Sequence, residues 1–293
     1  MNSITTIFQN RVWSTLQPRF GRRIAGGLVV GEDLMTFSIG TDVSPSIAVF
    51  DDPRDNADLT PSAGRDGAAF TWKFRFIAFS KALRGRPGLR RTAAVALVNG
   101  ASSIVMVRTV KEALELRQAG IGEICMGEIH GRAPDGFDFG NSPFEVSTVD
   151  FQGKTIIQRT SAGTQGIVEA ATKAERLYAA SLVTSEATVR ALLSGPPDQV
   201  SLVAMGDNGL KRSDEDELCA IHLRNRLEGR PGDPDAIRRL ILAGGEVGRF
   251  YDLSRPYLHP EDVDIAVDID RYDFAVRVEF ENGRPVARIE TPA

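Results

Sequence analysis

Short apolar runs alternate with amphipathic stretches along the chain from about residue 93 onward. The apolar runs predict strands, and the stretches between them repeat their apolar positions with a helical period. The predicted strands are 103–107, 123–127, 154–159, 177–182 and 199–205; the predicted helical stretches are 92–98, 109–119, 163–173, 184–193, 213–227 and 234–253. Residues 274–290 lack helix signals and predict a hairpin that turns at Glu281-Asn282-Gly283.

This order of elements predicts the fold class. Strands that alternate with helices favour an α/β fold, a three-layer α/β/α arrangement with a mostly parallel or mixed sheet. In such folds, ligands bind at loops that follow the carboxyl ends of strands. The loops after the strands at 123–127 and 154–159 are therefore the first places to look for a site.

Both of these loops are polar and rich in glycine. The first contains Glu128 and the sequence Gly-Phe-Asp-Phe-Gly-Asn-Ser-Pro at 136–143; the second is Thr-Ser-Ala-Gly-Thr at 160–164. Loops of this kind bring backbone N–H groups and oxygen ligands close to a small anion or a hard metal ion. The pattern predicts a site for phosphate chemistry.

Composition and charge narrow the class of function. The chain has 293 residues, a net charge of -4 and two cysteines, and it carries neither a Cys-x5-Arg phosphatase loop nor a phosphate-binding loop of the Gly-x4-Gly-Lys-Ser/Thr type. No apolar run approaches the roughly 20 residues that span a bilayer. We expect free thiols, a cytoplasmic protein, no nucleic-acid or membrane partner, and a small-molecule substrate. A homo-oligomer is compatible with the sequence.

The first third of the chain differs from the rest. Residues 51–66 are rich in Asp and Pro, whereas residues 67–111 contain no acidic residue and several Lys and Arg. The basic stretch is either a solvated connection or a surface that attracts an anion. We predict a divergent, partly loop-like N-terminal region at 1–91 and an α/β domain at 92–293.

Several motifs together resemble the 2-phosphosulfolactate phosphatase family. They are Gly127-Glu128, the loop at 136–143 with Glu145 after it, the turn at 160–164, and Glu215-Asp216 with Cys219-Ala220, in this order. The resemblance extends from about residue 92 to the C-terminus. It implies an α/β fold and a Mg²⁺-dependent phosphatase that converts 2-phosphosulfolactate to sulfolactate and phosphate, a reaction that belongs to coenzyme M biosynthesis in some organisms.

The site residues follow from the needs of this chemistry. Cleavage of a phosphate ester needs charge neutralisation and an aligned water. The predicted catalytic residues are Asp138, Glu128 and Glu145; the predicted metal ligands are Glu128, Asp138 and, on the resemblance, Asp216; the predicted substrate-binding residues are Asn141, Ser142, Thr160, Ser161, Gly163, Thr164, Lys154 and Arg159. Each group also has a plainer interpretation, since the same residue types cap helices and close turns.

Two departures from the family pattern leave an alternative open. Family members carry an aspartate just before the first helix, but residues 76–84 contain no carboxylate here, and Ala162 replaces the usual Asn. The first difference reflects either divergence or a shifted reading frame. The alternative function is a catalytically impaired homologue that binds a small anionic ligand. An acidic residue from 51–66 that reached Asp138 would argue against it.

Overall fold

The computed structural model describes residues 92–195, 199–206, 213–244 and 247–293, together with the backbone of 14–15, 25–31, 34–40, 76–79 and 89–91. The acidic stretch at 51–66 and most of the basic stretch before residue 92 lie outside the described residues. The question of whether an acidic residue from 51–66 reaches Asp138 therefore lies outside them too.

The described residues form strands and helices in a largely alternating order. The strands are β1 (Ser14–Thr15), β2 (Ala25–Gly31), β3 (Leu34–Gly40), β4 (Phe76–Phe79), β5 (Ser103–Val107), β6 (Ile124–Gly127), β7 (Thr155–Arg159), β8 (Leu177–Ala180), β9 (Gln199–Ala204), β10 (Ala275–Glu281) and β11 (Arg284–Glu290). The helices are α1 (Leu89–Val98), α2 (Val110–Gln118), α3 (Pro143–Ser147), α4 (Gly163–Ala170), α5 (Ser185–Leu193), α6 (Asp214–Leu227), α7 (Pro234–Ala243) and α8 (Pro260–Ala266), with 3₁₀ turns at Leu182–Thr184 and Val247–Tyr251.

The strands form one mixed sheet in the order β1-β2-β3-β9-β4-β8-β10-β11-β5-β7-β6. Parallel pairs join β9, β4 and β8 into one block, and β5, β7 and β6 into another. The hairpin β10–β11 lies between the blocks and pairs antiparallel with both of them. Because three antiparallel pairings separate β8 from β5, the two parallel blocks run in opposite directions.

Helices cover both faces of this sheet. In β8, Tyr178 and Ala180 pack on the face covered by α6 and α7, whereas Leu177 and Ala179 pack on the face covered by α1 and α4. Successive residues of a strand point to opposite faces, so each buried strand contributes to both cores. The helix α2 covers β5, β6 and β7 through a smaller third cluster. The predicted three-layer α/β arrangement with a mixed sheet is confirmed.

Local signals place most element boundaries within a few residues of the prediction. Helix α2 begins after Thr109, whose Oγ1 accepts the N–H of Glu112 at 3.1 Å, as its capping-box spacing predicts. The predicted hairpin is present as β10–β11, with the turn between Glu281 and Arg284. The short helices α3 and α8 are not among the predicted elements; each begins with proline at its first position.

The N-terminal part of the chain contributes strands to the same sheet. Strand β4 lies between β9 and β8, and β3 extends the sheet beyond β9. The division of the chain at residue 91 stays a prediction. Among the described residues, no helix combines the length and the hydropathy that a membrane span requires.

Candidate active site

The first polar loop starts with a tight turn directly after β6. Ile129 and Arg132 exchange backbone N–H···O hydrogen bonds of 2.9 and 3.1 Å, and His130 and Gly131 between them have φ of 50° and 83°. Positive φ at both central residues is the geometry of a type I′ turn. The turn directs the N–H of Gly131 to Oε2 of Glu128 at 3.0 Å and brings Arg132 to the mouth of a cavity.

Glu128 joins this loop to the second one. Its Oε1 accepts the N–H of Ser161 at 2.8 Å, and its Oε2 accepts the Ser161 hydroxyl at 3.2 Å. The carboxylate is only 2% exposed. The contact arises because β6 and β7 are parallel neighbours in register, so the loops at their carboxyl ends meet. We call Glu128, Gly131 and Ser161 the carboxylate clamp.

The rest of the second turn supports the clamp. Arg159 donates from one guanidinium nitrogen to the carbonyl of Glu128 at 2.6 Å and from another to the carbonyl of Arg108 at 3.3 Å. Thr160 and Thr164 bind each other reciprocally through backbone N–H and hydroxyl groups at 2.9 and 3.2 Å. These are the plainer roles that the sequence left open, helix capping and turn closure. Gly163 is buried at the first position of α4.

Asp138 faces helix α2. Its Oδ2 accepts the N–H of Cys125 at 2.8 Å and a guanidinium hydrogen of Arg117 at 3.0 Å. Arg117 also donates to the carbonyl of Gly136 at 2.8 Å. Asp138 therefore fixes the loop at 136–143 to α2 and to β6. Burial is the main cause of the raised pKa of the Cys125 thiol, and the nearby charge of Asp138 also raises it.

Asn141, Ser142 and Glu145 lie together at the start of α3. Ser142 is the N-cap of this helix and its Oγ accepts the N–H of Glu145 at 3.1 Å. The Asn141 carbonyl accepts the Thr92 hydroxyl at 2.9 Å, which ties the loop to α1. The pattern Asn-Ser-Pro thus positions two polar side chains and one carboxylate at a single helix end.

These three residues line a cavity of about 560 Å³. The cavity also contacts the type I′ turn and an irregular segment that precedes α8. Its lining residues are Gly131, Arg132, Ala133, Gly140, Asn141, Ser142, Glu145, Ser254, Pro256 and Tyr257. The lining includes one acidic and one basic side chain together with an amide and two hydroxyl groups of serine, which suits a small ligand with several charges.

The residues just before α8 and in its first turn add three side chains that the sequence did not single out. The guanidinium of Arg132 lies over the Tyr257 ring, 4.8 Å from its centre. His259 contacts Glu145, with 3.0 Å between Nε2 and Oε1. Asp262 is 2% exposed, and its Oδ1 accepts both the Ser142 hydroxyl at 2.7 Å and the Phe144 N–H at 2.9 Å. We call Ser142, Glu145, His259 and Asp262 the cavity wall.

Burial dominates the electrostatics of Asp262. Loss of solvent raises the pKa of its carboxyl group from 3.8 to about 6, although the hydrogen bonds from Phe144 and Ser142 act in the opposite direction. His259 also lowers this pKa, whereas the nearby Glu145 raises it. Asp262 is thus an acid that changes its protonation state close to neutral pH.

The three predicted metal ligands are not brought together. Among the described residues, no three His, Cys, Asp or Glu side chains lie close enough to hold a metal ion. Glu128 is engaged in the clamp and Asp138 with Arg117, while Asp216 accepts the Gly206 N–H at 2.8 Å beside β9. Asp216 lies in the first turn of α6, which follows β9 of the other parallel block.

Lys154 is also placed away from the other predicted substrate-binding residues. It precedes β7, whereas Arg159 ends that strand, and a strand of five residues spans about 16 Å. Its ammonium group lies 3.9 Å from the Glu123 carboxylate at the opposite end of the strand. The sequence places Lys154 and Arg159 close together, but the extended strand separates them.

The chain resembles known proteins over the part that builds most of this site. A family model described as 2-phosphosulpholactate phosphatase matches residues 91–241. Three relatives, each named probable 2-phosphosulfolactate phosphatase, are similar to the chain. The protein of Thermotoga petrophila is 39% identical over 142 residues, which is 48% of this chain and 60% of the relative. The proteins of Pseudothermotoga lettingae and Bacillus subtilis are 32% and 27% identical over 194 residues, covering 66% and 65% of this chain and 80% and 82% of those relatives.

The chain belongs to the 2-phosphosulfolactate phosphatase family. It spans 60% of the length of the Thermotoga petrophila relative. The family match covers the clamp and the loop at 136–143, and it ends before the segment that carries Tyr257, His259 and Asp262.

Sequence reasoning missed these three residues for a physical reason. Asp262 lies in the first turn of a short helix, where an acidic residue ordinarily serves the helix dipole. Its hydrogen bond to Ser142 joins residues 120 positions apart. Nothing in the local pattern around Pro260 signals such a contact. Arg132 offered a weak signal, as a basic residue beside a glycine in the first polar loop.

Proposed function

We propose that the chain is a phosphoric monoester hydrolase that converts 2-phosphosulfolactate to sulfolactate and phosphate with the help of Mg²⁺. The observation that carries the proposal is the cavity beside the family's loop at 136–143, which Asn141, Ser142, Glu145 and Arg132 line together. Family membership supports the reaction class, and the cavity supplies the chemical groups that a small polyanion needs.

The groups of the cavity divide the work between binding and chemistry. The amide of Asn141 and the hydroxyl of Ser142 would bind phosphate oxygens, and the guanidinium of Arg132 would pair with the carboxylate or sulfonate of the substrate. Glu145 is the cavity's carboxylate and would orient the attacking water and accept its proton. The bond from phosphorus to the sulfolactate oxygen then breaks, and that oxygen leaves with a proton from solvent.

The clamp affects this chemistry because it positions the loop that carries Arg132. Glu128 fixes the loop that carries Arg132, because it accepts the Gly131 N–H, and Arg159 and Ser161 hold Glu128 in turn. Asp138 holds the other half of the loop against α2. We assign Glu128 and Asp138 positioning roles, and we assign Thr160, Ser161, Gly163 and Thr164 to the turn that supports them.

The oxygen atoms near the clamp are suitable ligands for Mg²⁺. The candidate ligands there are oxygen atoms of carboxylates, hydroxyls and carbonyls, which this ion prefers, and one or two carboxylates suffice when water and substrate oxygens complete the shell. Glu128, which joins the two loops, is the residue that would hold the ion, and its carboxylate would exchange one of its present donors for the metal. When bound, Mg²⁺ would neutralise charge on the phosphate oxygens. Asp138 and Asp216 lie on other elements and are not part of this proposal.

One observation favours the second candidate function, a catalytically impaired homologue that binds a small anionic ligand. Strand β4 lies in the middle of a parallel block, between β9 and β8, where its carboxyl end would normally serve a site, and the sequence of 76–84 has no acidic residue there. A homologue that binds an anionic ligand without turnover would show this feature.

A phosphate-release assay on the full chain separates the two functions. We expect release from 2-phosphosulfolactate that requires Mg²⁺, stops with EDTA and falls about 100-fold in Glu145→Gln. Glu115→Gln, an exposed glutamate on α2, is the matched control and should retain full activity. Ligand-dependent thermal stabilisation without any phosphate release would favour the catalytically impaired homologue. Activity that persists in EDTA would contradict the Mg²⁺ requirement.

A further inference from the structure

Asp262 is the member of the cavity wall that lies behind Ser142, without itself lining the cavity. Its Oδ1 contacts the Ser142 hydroxyl, and Ser142 itself lines the cavity. The same oxygen accepts the Phe144 N–H, so the carboxyl group is fixed by two donors from the start of α3. Its hydrogen bonds connect α8 to the loop at 136–143 and to the start of α3.

The hydroxyl of Ser142 can serve only one acceptor at a time. A serine hydroxyl has one hydrogen and two lone pairs, and the Glu145 N–H already occupies one lone pair at 3.1 Å. An ionised Asp262 only accepts, so it takes the single hydrogen of Ser142. In that state the hydroxyl presents no donor to the cavity.

Protonation of Asp262 reverses this hydrogen bond. A carboxylic acid group can donate to Ser142 Oγ, because the second lone pair of that oxygen is then available. The serine hydrogen is released and turns toward the cavity, where it can bind an anion. The same protonation removes a negative charge from directly behind the anion site, so both effects favour anion binding.

We propose that Asp262 is a positioning residue for the anion site, and that an anion enters the cavity together with one proton taken up by Asp262. The proposal rests on the proposed function, since that function assigns the cavity to phosphate. It couples anion binding to proton uptake by Asp262, and no other bond is formed or broken. The proton comes from solvent and returns there when the anion leaves.

The surroundings of Asp262 make this proton exchange accessible. Burial brings its pKa to about 6, within reach of neutral pH. Helix α3 contributes the acidic Glu145, and the residues before α8 contribute His259. Of the two 3₁₀ turns packed against α8, Leu182–Thr184 carries no ionisable group, and Val247–Tyr251 carries Arg249 and Tyr251.

Sulfate is the suitable probe for the full chain. Inorganic phosphate itself gains a proton between pH 8 and pH 5 and would imitate the effect, whereas sulfate keeps its charge over this range. We expect sulfate to bind at least about tenfold more tightly near pH 5 than near pH 8, with net uptake of about half a proton or more near pH 6.5, between the pKa values of free and sulfate-bound Asp262. Titration calorimetry in buffers of different ionisation enthalpy measures both quantities.

Five variants, two of them controls, identify the group that takes up the proton. In Asp262→Asn we expect the pH dependence of sulfate affinity to flatten, because an amide can donate to Ser142 at every pH. Asp264→Asn, the same change on an exposed position of α8, should behave as the unmodified chain. His259→Gln should retain the dependence. Ser142→Ala should weaken binding, and Ser147→Ala on the same helix should not.

Several outcomes would overturn the inference. They are sulfate affinity that is independent of pH, no proton uptake in the unmodified chain, a dependence lost in His259→Gln but kept in Asp262→Asn, and sulfate binding unaffected by Ser142→Ala. The proton-uptake measurement needs no variant, so a misfolded Asp262→Asn leaves the test intact. Phosphate release with pH-independent sulfate binding defeats this inference alone, and pH-coupled binding without phosphate release defeats only the proposed phosphatase.

Discussion

The carboxylate clamp and the cavity wall are built from the same kinds of residue, yet they differ in how their acids are satisfied. In the clamp, Glu128 accepts three donors from two neighbouring loops, and all of them come from the turns that it joins. In the cavity wall, Glu145 is about one third exposed and contacts a histidine, and Asp262 places both of its donors on one oxygen.

This difference in hydrogen bonding assigns a structural role to the acid of the clamp and a chemical role to the acids of the cavity wall. A buried carboxylate with several fixed donors holds the loops that supply those donors in place. A carboxyl group with a raised pKa, as in Asp262, is able to exchange a proton, and one that lines a cavity, as in Glu145, is able to contact a ligand. Substitutions in the clamp should therefore change stability first, and substitutions in the cavity wall should change binding and turnover first.

The largest effect is expected from Gly127→Ala, which breaks the clamp at its base. Gly127 has φ of 149°, and a Cβ there would overlap the carbonyl oxygen of Arg159 on the paired strand. The overlap would force β6 and β7 apart, and we expect the free energy of unfolding to fall by about 4 kcal/mol. Urea unfolding followed by circular dichroism measures the change.

A matched glycine separates the overlap from the effect of backbone conformation. Gly153 also has positive φ, 72°, but no atom lies within 4 Å of the position of a Cβ. Gly153→Ala should cost about 1 kcal/mol. Equal losses for the two variants would show that contact between β6 and β7 is not what makes Gly127 necessary.

The next effect distinguishes the two acids directly. In Glu128→Gln, the new amide hydrogens would face the N–H of Gly131 or of Ser161, and we expect a loss of about 3 kcal/mol in the free energy of unfolding. Glu145→Gln should change that free energy by less than about 0.5 kcal/mol while it reduces turnover. The comparison fails if Glu145→Gln destabilises the fold as much as Glu128→Gln does.

The smallest effect concerns the pH dependence of stability. Asp262 has a higher pKa in the folded chain than the ordinary value of 3.8, so folding favours its protonated form. Its unfavourable contribution grows as pH rises from about 4 to about 6 and then stays constant. Relative to Asp262→Asn, the unmodified chain should lose about 2 kcal/mol of stability between pH 4.5 and pH 7.5.

Asp264→Asn provides the reference for that measurement. It makes the same chemical change on the same helix at an exposed position. Thermal or urea unfolding of the three proteins at both pH values isolates the contribution of Asp262. If the difference between the unmodified chain and Asp262→Asn is the same at both pH values, the carboxyl group does not carry a raised pKa.

The sequence was sufficient to predict the α/β class, the hairpin and most element boundaries. These features depend on short-range signals such as the capping of α2 by Thr109. The meeting of the loops after β6 and β7 was also within reach, because the carboxyl ends of neighbouring parallel strands share an edge. The side chains that close the clamp, Glu128 and Ser161, were both among the predicted site residues.

The rest of the site depends on long-range contacts. The hydrogen bond between Ser142 and Asp262 depends on packing between α3 and α8. Asp216 accepts the Gly206 N–H after β9, and Lys154 lies at the end of β7 opposite Arg159. No local pattern showed that a hairpin would lie between the two parallel blocks. Sequence proximity and motif order were therefore poor guides to which of these residues share the cavity.

The position of the β10–β11 hairpin has a consequence for how the protein is made. Ribosomes synthesise these two strands after every other strand of the sheet, yet the hairpin is what connects β8 to β5. Until it emerges, each of those two strands offers an unpaired edge to other nascent chains. The nascent chain must therefore keep two half-sheets soluble until the β10–β11 hairpin is synthesised and pairs with both of them.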